Sequence, residues 1–310
     1  LVSVVIPAYN AGSFIERTLD SIRLQTYFSY EVVVVDDGSS DDTKSVVDAY
    51  LARHAVRGRC IRQTNKKIAA ARNTGMRAAV GTYIALLDHD DLWEPQKLAR
   101  VMREFETHPE VDLICHALGV SQNGKRTGIF HVSPAVPDMY ERLLFSGKTL
   151  VSPSAAVFNR EKALAIGGFD ENPGFNTVED YDFWMRFSRV ARFHFIDEVL
   201  GDYLVLSGSA SRQIDYHLLN LERLLHRHFS DYSSSHAGIL TRMRIRNRLS
   251  QVHRAGLLAS LAHIDSVGKQ REYLGKMLHE FPIAPKNIAA GLLWLASGVS
   301  PRLTRKFLPT

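Results

Sequence analysis

Apolar runs alternate with amphipathic ones along the first two-thirds of the chain. Val2-Ser3-Val4-Val5-Ile6 is apolar almost throughout and stops at Pro7, which predicts a strand buried on both faces. Ser13-Phe14-Ile15-Glu16 has the capping-box pattern of a helix start, and Ile15, Leu19 and Ile22 then share one helical face. Val32-Val33-Val34-Val35 predicts a second strand, which runs into Asp36-Asp37-Gly38-Ser39-Ser40-Asp41-Asp42-Thr43 and another helix. An Ala-rich helix follows Asn65, and Gly81 introduces the strand Tyr83-Ile84-Ala85-Leu86-Leu87. Strands that alternate with helices and are apolar throughout predict an α/β fold, a parallel sheet covered on both faces. Ligands of such sheets bind outside the carboxyl ends of the strands, where Ala8-Tyr9, Asp36-Asp37 and Asp88 to Asp90 all fall.

The last of these strands delivers Asp88-His89-Asp90-Asp91. Three adjacent carboxylates repel one another and resist desolvation unless a cation joins them. Hard oxygen ligands suit Mg²⁺ or Mn²⁺, especially where substrate phosphates complete the shell. An acidic turn with Asp capping the next helix is the plainer reading of the same residues.

The segments VSVVIPAYN, VVVVDDGSSDDT, AAARNTGMRAAVGTYIALLDHDDLW, GGFDE and VEDYDFWMR decide between them. In order and spacing they resemble the family-2 glycosyltransferases, over roughly the first two-thirds of the chain. The resemblance implies the GT-A fold, a Rossmann-like, mostly parallel mixed sheet with helices on both faces. It implies an enzyme that takes a sugar from a nucleoside diphosphate and inverts the anomeric centre. It places Pro7, Ala8, Tyr9, Asp37 and Arg72 around the nucleobase and ribose, and Asp88 near the ribose and diphosphate. Asp90 would bind the metal and Asp180 would be the catalytic base. Asp91, Gly168, Phe169, Glu179 and Trp184 are the remaining candidates for contacts to donor or acceptor.

The chemistry asks for such residues independently. A divalent ion can neutralise the charge that builds on a departing diphosphate. The acceptor hydroxyl is a poor nucleophile near neutral pH, so a carboxylate must take its proton. Direct displacement with inversion needs one such base and no enzyme nucleophile. Asp180 also suits a helix N-terminus, and a helix start is a good platform for a fixed base. A carboxylate at Asp37 can accept from the imide N–H of uracil, which makes a UDP-sugar the expected donor and a dTDP-sugar the next. Trp93 is expected to pack, anchoring a helix with Leu98, Val101, Met102 and Phe105 on its inner stripe.

Two departures from the family pattern stand out. Relatives usually carry glycines where this chain has Lys66-Lys67 after Asn65. Many also carry an Arg and a His where Tyr203-Leu204-Val205-Leu206 offers leucine at both positions, which removes a possible contact to metal or diphosphate.

Composition fits this picture. Two cysteines, Cys60 and Cys115, supply neither a disulfide framework nor a zinc pattern, which suits a reducing, cytoplasmic setting. A Gly-x-Gly-x-x-Gly fingerprint is absent, which argues against a dinucleotide oxidoreductase. Charge divides unevenly: residues 1–214 carry 24 Lys and Arg against 27 Asp and Glu, whereas residues 215–310 carry 14 against 6. The shift marks Ser209–Asp215 as a boundary between a catalytic domain, 1–214, and a basic helical region, 215–310. In the latter, Leu218, Leu221 and Leu225, then Ile245, Leu249 and Val252, recur at helical spacing. Arg242, Arg244, Arg246 and Arg248 spread around a helix surface. The apolar stretch 288–296 is too short to span a bilayer, and Arg302, Arg305 and Lys306 follow it. Two readings stay open: peripheral contact with an anionic inner membrane face, or a helical cap with solvated arginines. Nucleic-acid binding is disfavoured, because the basic residues lack interleaved aromatics.

The expected function is therefore an inverting, metal-dependent hexosyltransferase acting on a saccharide or lipid-linked acceptor in cell-surface polysaccharide or glycolipid synthesis. The alternative is a catalytically silent GT-A relative that serves as a nucleotide-binding or scaffold module. A nucleotidyltransferase is weaker, since Pro7-Ala8-Tyr9-Asn10 stands where its glycine-rich signature belongs.

Overall fold

The computed structural model describes residues 1–147, 150–205, 214–262 and 267–299. The described chain falls into two compact units, one of residues 1–140 with 150–205 and one of residues 141–147 with 214–299. The boundary expected at Ser209–Asp215 runs through residues outside the described ones.

The first unit is built on one nine-stranded sheet. Its strands are β1 (Val2–Ala8), β2 (Tyr30–Asp36), β3 (Gly58–Arg62), β4 (Tyr83–Leu86), β5 (Leu92–Trp93), β6 (Leu113–Gln122), β7 (Lys125–Phe130), β8 (Ala156–Asn159) and β9 (Phe193–Leu204). They lie in the order β3-β2-β1-β4-β8-β6-β9-β5, with β7 paired to β6. The block β3-β2-β1-β4 is parallel, and β6 pairs parallel with β9. The pairs β4–β8, β6–β8, β6–β7 and β5–β9 are antiparallel and together hold fewer paired residues than the parallel ones, so the sheet is mixed and mostly parallel. β1 sends the chain to β2 on one side and later receives β4 on the other. That reversal opens the crevice in which such sheets bind ligands.

Helices cover both faces. α1 (Ile15–Arg23), α2 (Thr43–Arg53) and α4 (Lys97–Thr107) present Ile15, Leu19, Ile22, Val47, Leu98, Val101 and Phe105 to Val4, Ile6, Val32 and Val34. α3 (Lys67–Ala78) lies on the opposite face, where Val5 points. It sits so close that a Cβ on Gly75 would collide with Val5 Cγ1. α5 (Met139–Ser146), α6 (Arg160–Ala165) and α7 (Glu179–Phe187) complete the helices that precede β9. Trp93 is buried and donates to the Ser154 carbonyl at 2.8 Å, while Lys97 Nζ lies 3.3 Å from its ring centroid. It anchors α4, as its place in the sequence suggested.

The Ser13 capping box does not form. α1 begins at Ile15, and no side chain caps it. The backbone N–H groups of Phe14 and Ile15 both donate to the Ala11 carbonyl. The loop itself is held from the β2–α2 connection: Ala11 N donates to Thr43 Oγ1 at 2.8 Å and Gly12 N to Asp41 at 3.0 Å. Glu16 pairs instead with Arg53 at 2.7 Å.

The second unit contains the end of α5, with α8 (Ile214–Ser235), α9 (Ile239–Ala262), α10 (Val267–Glu280) and α11 (Pro285–Val299). Leu218, Leu225, Leu249 and Val252 are buried, as their spacing predicts. Arg248 is buried too and donates to the Leu144 carbonyl, whereas Arg244 pairs with Glu141 and Arg246 with Glu280. Trp294 packs inward on Leu257, Leu261 and Met277. Among the described residues no helix is long and apolar enough to cross a membrane. Leu206, Arg302, Arg305 and Lys306 lie outside the described residues.

Candidate active site

Loops at the carboxyl ends of β1, β2 and β4 meet, and hydrogen bonds fix their relative positions. Asp37 N donates to the Ala8 carbonyl at 2.8 Å, and Asn10 N donates to Ser39 Oγ at 2.9 Å. Asp36 is fully buried and accepts from Ser39 N at 2.9 Å, so it shapes the turn. Asp37 Oδ1 accepts from Gln63 Nε2 at 2.7 Å and from Lys66 N at 2.9 Å. Tyr9 stands half exposed at the mouth of β1, beside buried Pro7 and Ala8. Lys67 has φ +71°, a left-handed conformation that glycine adopts freely and lysine does not. The backbone at Lys67 follows a path that suits glycine.

In the acidic turn after β4 each carboxylate has a different fate. Asp88 pairs with Arg72 at 2.9 Å, and its N–H donates to Ser154 Oγ at 3.1 Å. Asp91 is buried, accepts from Ser154 Oγ at 2.5 Å and from Leu204 N at 3.0 Å, and is pushed well up by burial and by its acidic neighbours. No hydrogen bond or ion pair from another described side chain reaches the carboxylate of Asp90. Burial first, and Asp88 next, push it above the usual carboxylate range. His89 faces the other way, its Nδ1 2.9 Å from the Pro7 carbonyl.

A second acidic cluster stands at the start of α7. Glu179 is buried and pairs with Arg72 at 2.8 Å. Burial pushes it up to about 7 against the pull of Arg72. Asp180 is partly exposed, accepts from Tyr181 N at 2.7 Å and is also pushed up by burial. Asp182 is fully buried against Arg186 at 2.6 Å. Thr177, just ahead of the helix, has φ +76°. Backbone held in that region costs on the order of 1–3 kcal/mol and tends to mark functional loops.

Arg72 joins the two clusters. Its guanidinium is 2 % exposed, and Asp88 and Glu179 hold it charged in spite of burial. Asn73, next along α3, exchanges two hydrogen bonds of 2.8 Å with the backbone of Phe169. Gly168 makes that docking possible, because a Cβ at its φ of +71° would strike Asn73. Phe169 and Trp184 are buried in a ring cluster with Phe158 and Phe183, and Phe169 stacks on Phe183 at 4.2 Å. Gly168, Phe169, Glu179 and Trp184 thus seat α7 on α3.

A cavity opens beside Asp90, lined by Phe14, Arg17, Thr18, Leu92 and Leu204. Sequence reasoning missed Arg17, Thr18 and Ser154. Arg17 looks like any exposed helix residue, and Ser154 sits in a stretch with no legible motif.

The family model described as Glycosyl transferase family 2 matches residues 3–167 of the chain. The chain belongs to glycosyl transferase family 2. Within that family it is 32 % identical over 203 residues to the chondroitin synthase of Escherichia coli, covering 64 % of this chain and 28 % of that protein. It is 30 % identical over 210 residues to an uncharacterized glycosyltransferase of Rickettsia prowazekii, covering 64 % and 62 %. The chain therefore spans less than two-thirds of the length of either. Among solved structures it resembles S. aureus TarS 1–349 in complex with UDP-GlcNAc, with a TM-score of 0.66 at 18 % identity over 96 % of this chain and 91 % of that one. It also resembles the mannosyltransferase PcManGT from Pyrobaculum calidifontis in complex with GDP-Man and Mn²⁺, with a TM-score of 0.58 at 21 % identity over 98 % and 86 %. These likenesses establish the fold of this family-2 chain, GT-A, as its sequence predicts.

Proposed function

We propose that this chain transfers a sugar from a UDP-sugar to a saccharide or lipid-linked acceptor with inversion at the anomeric carbon. One observation carries the reading. In each of two acidic clusters that share Arg72, one carboxylate takes no side-chain hydrogen bond or ion pair from a described residue, Asp90 in the first and Asp180 in the second.

Asp90 has the character of a cation ligand. It is acidic, partly buried, crowded by Asp88 and paired with no cation among the described residues. Mg²⁺ or Mn²⁺ held there would neutralise charge on the departing diphosphate. Asp180 takes the proton of the acceptor hydroxyl as its oxygen bonds to the anomeric carbon and the bond to the diphosphate breaks. A raised proton affinity makes it a better base. Arg72 fixes Asp88 against the donor while holding Glu179, so the ribose side and the base helix keep one spacing. Asp37 Oδ2 takes no hydrogen bond from a described residue, which leaves it for the imide of uracil. Structural relatives whose names include UDP-GlcNAc and Mn²⁺ support the donor class and the ion.

The alternative, a silent nucleotide-binding module, draws on Leu204. That residue meets the acidic turn through its backbone N–H rather than a polar side chain. In the second unit, Ile288, Leu292 and Leu295 form an exposed stripe on α11, which supports a peripheral contact with a lipid-linked acceptor's membrane. The deciding experiment titrates UDP, GDP and CDP by calorimetry in Mn²⁺ and follows UDP release from a panel of UDP-sugars. Tight UDP binding with metal-dependent release supports transfer. UDP binding without any turnover selects the silent module, and tighter GDP than UDP rejects the uracil assignment.

A further inference from the structure

Away from the acidic turn, α4 and β9 bring together Glu104, His108 and His194. One potential ligand atom from each lies within 4.8 Å of the others. Glu104 is on the last turn of α4 and His108 caps its end four residues on, its N–H donating to the Glu104 carbonyl at 2.9 Å. His194 is the second residue of β9, level with Ile114 of β6 and through it with Val157 of β8 and Ala85 of β4. Asp88 lies three residues beyond Ala85, so the cluster is not part of the nucleotide crevice.

The orientation of each group is specific. Glu104 Oε2 faces both imidazoles, 3.2 Å from His194 Nε2 and 3.6 Å from His108 Nε2. Its other oxygen, Oε1, is taken by Arg100, which Glu198 holds in turn at 2.9 Å. His108 turns its second nitrogen, Nδ1, outward to Glu110 at 3.8 Å. An imidazole that aims one nitrogen inward and presents the other to a carboxylate has the arrangement found around zinc. The two histidine rings lie 4.7 Å apart between centroids, so neither blocks the other. Tetrahedral zinc with bonds near 2 Å needs ligand atoms about 3.3 Å from one another. The two Glu104–histidine separations already match that figure.

We infer that Glu104, His108 and His194 form a second metal site, separate from Asp90, which takes Zn²⁺ through Glu104 Oε2 and the Nε2 atoms of the two histidines. Two imidazoles and one carboxylate prefer zinc to Mg²⁺. A water completes the shell. The ion ties the end of α4 to the start of β9, two elements otherwise joined there by side-chain ion pairs. Its role is therefore to stabilise the unit.

The test uses the full chain, stripped with chelator and dialysed against Zn²⁺ or Co²⁺. One equivalent of zinc should bind, and Co²⁺ should give the intense visible bands of a tetrahedral site. Zn²⁺ at a hundredfold excess over its Kd should raise Tm by about 5 °C. The signal should persist in Asp90→Asn and be lost in His194→Ala. His108→Gln, at a more exposed position, gives the same loss in a variant less exposed to misfolding. Absence of stoichiometric zinc binding to the wild type, or binding that survives both histidine variants, overturns the site. Loss of binding in Asp90→Asn alone assigns the ion to the acidic turn and overturns it as well.

Discussion

The turn after β4 and the start of α7 each gather acidic residues, yet they control them by different means. At Asp88 to Asp91 the control is by crowding: burial and then the neighbouring Asp88 and Asp90 raise Asp91, Arg72 holds Asp88, and Ser154 with Leu204 N holds Asp91. At Glu179 to Asp182 it is local. Backbone N–H groups at a helix start serve Asp180, Arg186 reaches back one turn to Asp182, and Arg72 takes Glu179. The turn leaves a crowded anion that gains most from a cation. The helix leaves a carboxylate whose burial favours taking a proton. The same residue type is thus prepared for two tasks by what its neighbours have already claimed.

The largest effect should come from breaking the first cluster. Excess EDTA, or Asp90→Asn, is expected to abolish transfer and to weaken donor binding strongly. Asp91→Asn should cost less activity and appear mainly as a lower Tm, since its carboxylate meets only protein groups. Undiminished turnover in EDTA would reject the assignment of a metal to Asp90.

Next is the second cluster. Asp180→Asn keeps the shape of the base but cannot accept a proton, so transfer should fall by about a hundredfold or more with donor binding unchanged. Asp182→Asn should retain most activity; the reverse order would show that the wrong carboxylate has been chosen. Because burial raises Asp180, activity should rise with pH through a midpoint above 3.8, its ordinary value, and a pH–rate profile will show it. Below that midpoint the base carries a proton and transfer stops.

Arg72→Met tests the link between the two. It leaves Asp88 and Glu179 without their shared cation, and the cost of breaking such a buried pair is about 3–5 kcal/mol. Denaturant melts should show a loss on that scale. Arg72→Lys, which cannot bridge two carboxylates in one plane, should restore only part of it. The smallest effect belongs to Lys67→Gly. Relieving its left-handed backbone should offset the added chain entropy of glycine, so stability should change by no more than about 1 kcal/mol. A larger loss would mean that the Lys67 side chain holds the loop.

Much of this was legible from sequence because it is local. Periodicity placed β1, β2 and β4, and carboxylates that follow strands fell where α/β sheets bind ligands. What escaped notice depends on contacts between distant segments. The family resemblance marked Arg72 for the nucleotide side, but not its pairing with Glu179, 107 positions away, which only folding brings about. The capping box at Ser13 failed because the helix starts later, at Ile15, with Phe14 N and Ile15 N held by the Ala11 carbonyl and Glu16 drawn to Arg53. The spacing of Glu104 and His108 was visible, but His194 joins them only through the pairing of β6 with β9.

Gly75 never approaches the acidic turn, yet it governs both clusters. It lies three residues beyond Arg72 on the same face of α3, where the helix rests on Val5. A helix moves as a stiff rod, so one methyl group added at this fulcrum would lift the whole of α3. Arg72 would then draw back from Asp88 and Glu179 together, and Asn73 from Phe169. The site could be silenced with every ligand-facing side chain intact, by a change in the clearance between a helix and the sheet beneath it.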